Sequence, residues 1–391
     1  MRTELRLVAL GFAALLAVGA CGGAASSPSG STAAGSAAAS DCTANSDAAS
    51  AAIKGKVRQT DPNGVTPVGP DAVALTADEI AQVKAMNLTA AISMHETADG
   101  WAQAQLAGLK YQFGQLGIKI VSNTDAEMNP GTQVSQIETA LALKPSILIS
   151  LPTDPAATAD IYKKATAQGV KVVFMDNVPN GFKPGTDYVS MVSDDRINAG
   201  VIGGHQLAAA IGCKGKVGIV FHGVDFFVTH QSYLGVKEAL AQYPDIQIVD
   251  EKGIVGPDFA GDAQTGVGAM LTKYPDLAGV WTVWDLPGEG AMAAARAANR
   301  LDLKITTLGL GQPAAIALAK NELIVATAAV APYQEAIAEA NLGAAAVLGK
   351  ANLPGFVVTE ALPTYQNNVL DAWKYSYGVD APAEVVNALV K

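Results

Sequence analysis

From residue 88 onward two kinds of hydrophobic pattern alternate along the chain. Short unbroken apolar runs occur at "LTAAIS" (88–93), "IKIVSN" (118–123), "SILISL" (146–151) and "VKVVFMD" (170–176). They resume at "KVGIVF" (216–221), "IQIVDE" (246–251), "AGVWTVWD" (278–285) and "KITTLGL" (304–310). A strand with one solvated face alternates apolar and polar residues. Unbroken runs instead suit parallel strands covered on both faces. Between the runs, apolar residues return every three or four positions. "AQAQLAGLKYQFGQLG" places Leu106, Leu109, Phe113 and Leu116 on one helical stripe. "PAATADIYKKATAQG" and "YLGVKEALAQYP" predict further helices, closed by Gly169 and Pro244. Strand and helix in repeated alternation predict an α/β fold of two doubly wound parallel-sheet domains. The first set of four strands hands over near 190–195. The helix-rich "AIALAKNELIVATAAVAPYQEAIAEANLGAAAVLG" and then "LPGFVVTEALPTYQ" follow the second set. A late helix and strand predict a return to the first domain, so that several crossings form a hinge.

The first sixty residues read differently. "MRTELRLVALGFAALLAVGACGG" begins with Arg2 and Arg6, continues apolar and ends in small residues. This is the order of an export signal over 1–20, and the stretch is short for a membrane span. Its end, "VGAC", resembles a bacterial lipobox, which implies cleavage before Cys21 and lipidation of that cysteine. Residues 22–50 are rich in Ala, Ser, Gly and Thr. Such a composition buries too little to offset its ordering entropy, so a flexible linker is expected over 21–60. It would let a soluble body move above the outer face of the cell membrane.

At 391 residues the chain has room for two domains, and half of its residues are apolar. Its net charge of −10 and lack of a basic cluster argue against nucleic acid and anionic membrane surfaces as partners. Outside the cytoplasm Cys42 and Cys213 are free to pair, with two unrelated thiols as the alternative. The four histidines show no metal-ligand spacing and no C-x-x-C occurs, so neither a metal nor a cofactor is expected. No G-x-S-x-G elbow and no P-loop Lys-Ser/Thr is present, and "GLGQPA" is a poor dinucleotide fingerprint. An enzyme is not indicated.

Several segments carry a resemblance: "AEMNPGTQVSQIETALALKPSILISLPTDPAA", "GVKVVFMDN", "VSDDRINAGVIGGHQLA", "GVKEALAQYPDIQIV" and "NELIVATAAVAPYQEAIAEA". In this order, over about 86–368, the chain resembles the sugar-binding proteins of ABC importers that are like the ribose-binding protein. The resemblance implies two α/β lobes joined by a three-segment hinge, with the ligand in the cleft. It places the N-terminal lobe at 86–193 plus 331–361 and the C-terminal lobe at 194–330 plus 362–391. Sugar-responsive repressors share the fold but begin with a helix-turn-helix, where this chain has an export signal.

Ligands of open α/β sheets bind beyond the carboxyl ends of the strands, so candidate contacts follow each run. After the first come His95, Asp99 and Trp101; the family has an Asn and a Phe where Asp99 and Trp101 fall. After the fourth comes Asp176, which matches a family Asp suited to two ligand hydroxyls, and Asn177, which departs from a family Arg. Phe259 stands where the family has a stacking Phe. Trp284 replaces an Asn and precedes a matching Asp285. The segment "HGVDFFVTHQSYLG" should carry a binding Arg and has none; Ser232 or His230 occupies the region. Gly311 replaces an Asp and Val330 a Gln, while Gln312, His230 and Asp225 could restore polar partners. Trp281 should point away from Trp284 into the core, since strand side chains alternate. Aromatic area thus replaces polar contacts, which argues against a ribose-like site.

The expected function is that of an extracytoplasmic, lipid-anchored, monomeric solute-binding protein. It would capture a small sugar or sugar alcohol by hinge closure and deliver it to an ABC permease. A ligand-sensing receptor component, or an importer protein for a small aromatic or cationic ligand, is the alternative.

Overall fold

A computed structural model of the chain describes residues 42, 44, 46, 48, 49, 51–224 and 226–389. The export signal, Cys21 and Asp225 lie outside the described residues.

Two six-stranded sheets organise the molecule. The first comprises β1 (Thr89–Met94), β2 (Lys119–Asp125), β3 (Ile147–Ser150), β4 (Lys171–Met175), β5 (Ser190–Asp194) and β11 (Phe356–Thr359). Its order is β11-β5-β4-β3-β1-β2, parallel throughout. The second comprises β6 (Gly215–His222), β7 (Ile246–Ile254), β8 (Leu277–Thr282), β9 (Lys304–Leu308), β10 (Ile324–Ala329) and β12 (Leu362–Thr364). Its order is β12-β10-β9-β8-β6-β7, with only β12 antiparallel. Each sheet is therefore doubly wound in the same sense, as the apolar runs predict. The inner runs are buried as expected, with no exposed position in β1, β3, β4, β8 or β9, whereas the runs at the sheet edges, β2 and β7, keep exposed positions. Leu109, Phe113 and Leu116 are fully buried on one helix stripe.

The structure adds three strands that the hydrophobic pattern did not reveal: β5, β10 and the short β12. β5 is short and ends in acids, and β10, "IVATAA", is alanine-rich and reads as helix. Alanine favours helices in isolation, but here its small side chain fits between the sheet and the helices covering it. Three crossings join the lobes: Asp194 to Arg196, Ala329 to Pro332, and Thr359 to Leu362. The helix Pro332–Val347 returns to the first lobe and packs along the helix Gly100–Gln115. There a side chain on Gly108 would collide with the Tyr333 backbone oxygen at 2.6 Å.

The expected flexible linker does not reach residue 60. Cys42 is joined by a disulfide to Cys213, Ser46 is fully buried with its hydroxyl donating to the His205 carbonyl (2.8 Å), and Gln59 and Asp61 are buried. A covalent staple and buried hydrogen bonds supply the fixation that the composition cannot. Among the described residues no helix is long and apolar enough to cross a membrane.

Candidate ligand-binding cleft

The carboxyl ends of both sheets face one cavity of about 100 Å³. The lobes meet around it. Met128 of the first lobe packs on the core of the second. A Cβ on Gly100 would lie 3.1 Å from the Gly311 Cα and collide with the Tyr377 hydroxyl, so only glycine fits there.

The first lobe supplies mainly polar groups: His95, Glu96, Asp99, Asp176 and Asn177, with Trp101 as its one large ring. Asp176 follows β4 in the left-handed region (φ 54), an uncommon conformation that Asp tolerates better than most residues and that turns its carboxylate off the strand end. One carboxylate oxygen accepts from the Ser193 hydroxyl (2.6 Å) and the other from Arg196 Nη2 (2.9 Å). Each Asp176 oxygen thus already accepts one hydrogen bond from the protein and keeps a lone pair for a ligand hydroxyl. Arg196 also pairs through Nε with Asp194 (3.0 Å). Burial works against the Arg196 charge, but Asp176 and Asp194 hold its pKa above the ordinary range. Burial pushes Asp194 up to about 7, against the pull of Arg196. Behind this pair lie Glu335 and Glu339, both fully buried and pushed well above the carboxylate range by burial and neighbouring acids. Asp99 spends one oxygen capping the helix Gly100–Gln115, where it accepts from Ala102 N–H (2.8 Å). Burial, with the Asp99 charge next, raises Glu96 to about 8. The Asn177 side-chain oxygen and the Trp101 indole N–H are buried without a partner.

The second lobe supplies rings. Phe259 and Trp284 meet edge to face at 5.0 Å, and His222 stands edge-on to Trp284 at 5.4 Å. Phe226 stacks on His222 at 5.1 Å with planes 9° apart. Trp284 is the N-cap residue of the helix Asp285–Ala297, which places its ring at the end of β8. Trp281 is fully buried on the opposite side, against Gly203. Burial lowers His222 to about 4, so it is a neutral imidazole near pH 7; burial lowers His95 too. Asp285 is nearly buried and accepts from the N–H groups of Gly311 and Leu286. Burial, then the Asp99 charge, raises it to about 7.

Seven expected contacts line the cavity: Asp99, Trp101, Asp176, Asn177, Phe259, Trp284 and Asp285. Three do not. His230 is exposed and packs on Tyr233. Ser232 is buried where the helix Phe227–Leu240 presses on Gly200. Gln312 is exposed at the start of the helix Gln312–Ala319. The segment that lacks the expected arginine instead presents Phe226, Val228 and Thr229. Helical rotation of about 100° per residue carries His230 away from the face of Thr229. Arg196 went unrecognised although "SDDR" follows β5 as "MDN" follows β4, so the strand-end rule applied to both. A cluster of Asp176, Asp194 and Glu335 oxygens has metal-like spacing, but the Arg196 guanidinium already pairs with two of these carboxylates.

A family model described as a periplasmic binding protein domain matches residues 90–351. A ribose import binding protein of Salmonella typhimurium is 25% identical over 267 residues, 67% of this chain and 86% of that protein. Among solved structures, an ABC sugar transporter subunit from Rhodobacter sphaeroides is 26% identical with a TM-score of 0.63, covering 72% of this chain and 99% of that one. An ABC transporter solute-binding protein from Agrobacterium vitis, solved with bound allitol, is 25% identical with a TM-score of 0.62, covering 73% and 98%.

Proposed function

The chain belongs to the periplasmic binding protein domain family, and from that premise we propose that it captures a small sugar or sugar alcohol by lobe closure and delivers it to an ABC permease. The family comprises extracytoplasmic, non-enzymatic solute-binding components of ABC sugar transporters. One observation carries the ligand class: a cavity at the carboxyl ends of both sheets has rings on one side and hydrogen-bonding groups on the other. Rings cover the C–H faces of a polyol, while polar side chains that line the cavity, such as Asp176 and Asn177, meet its hydroxyls. The allitol complex of the Agrobacterium relative supports the same class. Because the ligand touches both lobes, it favours their closed arrangement. Lipidation at Cys21 would hold the protein near the permease as a monomer on the outer face of the membrane. A sensor role would use the same closure, and a permease and ATPase encoded beside this chain would favour import.

A second reading has one observation behind it. Glu96, Asp99, Asp176 and Asp285 line the cavity, and its one arginine already pairs with two carboxylates. A hydroxylated ligand bearing an ammonium would complement that surplus, with the rings as a cation–π surface.

A thermal-shift panel on the soluble chain separates these readings, since a ligand that binds only the folded state raises the midpoint by mass action. Pentoses, hexoses, alditols including allitol, amino-polyols and choline form the panel. We expect alditols or sugars to raise the midpoint. Shifts from choline or amino-polyols alone would replace the neutral-sugar reading with the cationic one.

A further inference from the structure

The N-terminal segment links both lobes. At its start it belongs to the second lobe: Cys42 is bonded to Cys213, and the Ser46 hydroxyl donates to the His205 carbonyl. Asn198 donates to the Lys56 carbonyl (2.6 Å), and Arg58 pairs with Glu238 (2.7 Å). A few residues later it belongs to the first lobe. Asp61 accepts from the Tyr188 hydroxyl (3.4 Å), Asn63 donates to the Phe182 carbonyl (2.9 Å), and Val68 forms a parallel bridge with Val357 of β11. Between these attachments the segment runs beside the crossing at Asp195, whose carboxylate accepts from Arg58 N–H (2.8 Å).

Gln59 sits at the changeover and is 1% exposed. Its amide nitrogen donates to the Ser193 hydroxyl in the first lobe (3.2 Å), and its carbonyl oxygen accepts from Arg196 N–H in the second (2.8 Å). Those two residues hold the two oxygens of Asp176 at the cleft. One side chain from the N-terminal segment thus touches both residues that orient Asp176.

We infer that residues 56–68 form a fourth crossing between the lobes, stapled to the second lobe by Cys42–Cys213, and that Gln59 is a positioning residue for the Asp176–Arg196 pair. Three crossings alone let two lobes rotate about a common line. A fourth, fastened at both ends, restricts that rotation and fixes Asp176 relative to the hinge. The cleft half of this inference rests on the proposed role of Asp176 in ligand contact; the crossing half does not.

The test separates the two halves. Small-angle scattering of the unliganded chain reads lobe opening without a ligand. Replacing Cys42 and Cys213 together by Ser should increase the radius of gyration and broaden the interlobe distance distribution. A profile identical to the unsubstituted chain overturns the staple's restraint on the hinge, whether or not any sugar binds. For the cleft half, calorimetry with allitol, or with the panel compound that shifts the midpoint most, compares Gln59→Ala with Gln59→Met. Methionine keeps the side-chain volume and removes both hydrogen bonds. Affinity should fall about tenfold in both variants. Recovery of affinity in Gln59→Met would make Gln59 a packing residue and overturn its positioning role.

Discussion

The two walls of the cleft are built from different chemistry and are held by different parts of the fold. The first lobe's wall is mostly polar, and its central group, Asp176, is held by Ser193 and Arg196 at the hinge. The second lobe's wall is a set of rings, Phe226, His222, Phe259 and Trp284, in contact with one another, with Phe259 and Trp284 seated on that lobe's core. Structure and binding are therefore entangled on the polar side and separable on the aromatic side. A change at the hinge pair should cost fold and affinity together, whereas a change at a ring should cost affinity with the fold largely retained.

The largest effect is expected from Arg196→Ala. It strands Asp176 and Asp194, both nearly buried, without their cation. Breaking a buried pair in this way costs about 3–5 kcal/mol. Chemical denaturation should show that loss, and the panel ligand should bind at least tenfold more weakly. If stability stays level while affinity falls, the polar wall is as separable as the aromatic one and the contrast between the walls disappears.

Trp284→Ala tests the other side. Removing a ring that packs on an occupant costs about 2–3 kcal/mol of binding, a weakening of roughly 30- to 150-fold. Trp284 is only partly buried and caps its helix without a side-chain hydrogen bond, so the unliganded melting midpoint should move far less than in the arginine variant. Unchanged calorimetric affinity with a collapsed midpoint would return Trp284 to the core.

The contrast between walls also explains which parts of the site could be read from the sequence. Trp101 and Trp284 were visible because a ring following an apolar run stands out and the strand-end rule fixes its place, while Phe259 was placed by the family resemblance. The separation of Trp281 from Trp284 followed from the alternation of strand side chains. The polar wall was only half legible. Asp176 was found, but its partners come from the end of β5 and from the next helix, and β5 itself left no clear hydrophobic signature. His230, Ser232 and Gln312 were sought by residue type within helices, where a shift of one position turns a side chain out of the cleft. The fold was legible from the β1–β4 and β6–β9 runs, while β10 was concealed by alanine. The Cys42–Cys213 pairing was one of two readings of the sequence and is present, but the buried hydrogen bonds of Ser46 and Gln59 that fix the N-terminal segment are not encoded in local pattern.

The smallest effect, a pH dependence, follows from the same asymmetry. Burial leaves Asp194 and Asp285 titrating at about 7 and Glu96 at about 8. A raised carboxyl pKa means that the folded state holds protons the unfolded state has lost. The stability associated with those protons is complete below the unfolded value near 4 and is lost as pH rises through the folded value. The lowered histidines His95, His205 and His222 act in the opposite sense, adding stability as pH rises to about 6.5. The two sets oppose each other below about 6.5, and above it the carboxyls act alone. The melting midpoint of the unliganded chain should therefore fall by a few degrees between pH 6.5 and 8.5; a level midpoint would return these carboxyls to ordinary solvated groups. The rings of the aromatic wall do not titrate in this range, because His222 is already neutral. Calorimetric affinity for a neutral alditol should thus change less than about threefold between pH 6.5 and 8.5, in line with hydrogen bonds whose partners change only in charge. Ionisation of Glu96 and Asp285 would instead strengthen binding of an ammonium ligand by roughly tenfold or more. A steep rise of affinity with pH would shift the balance of the cleft from its rings to its carboxylates.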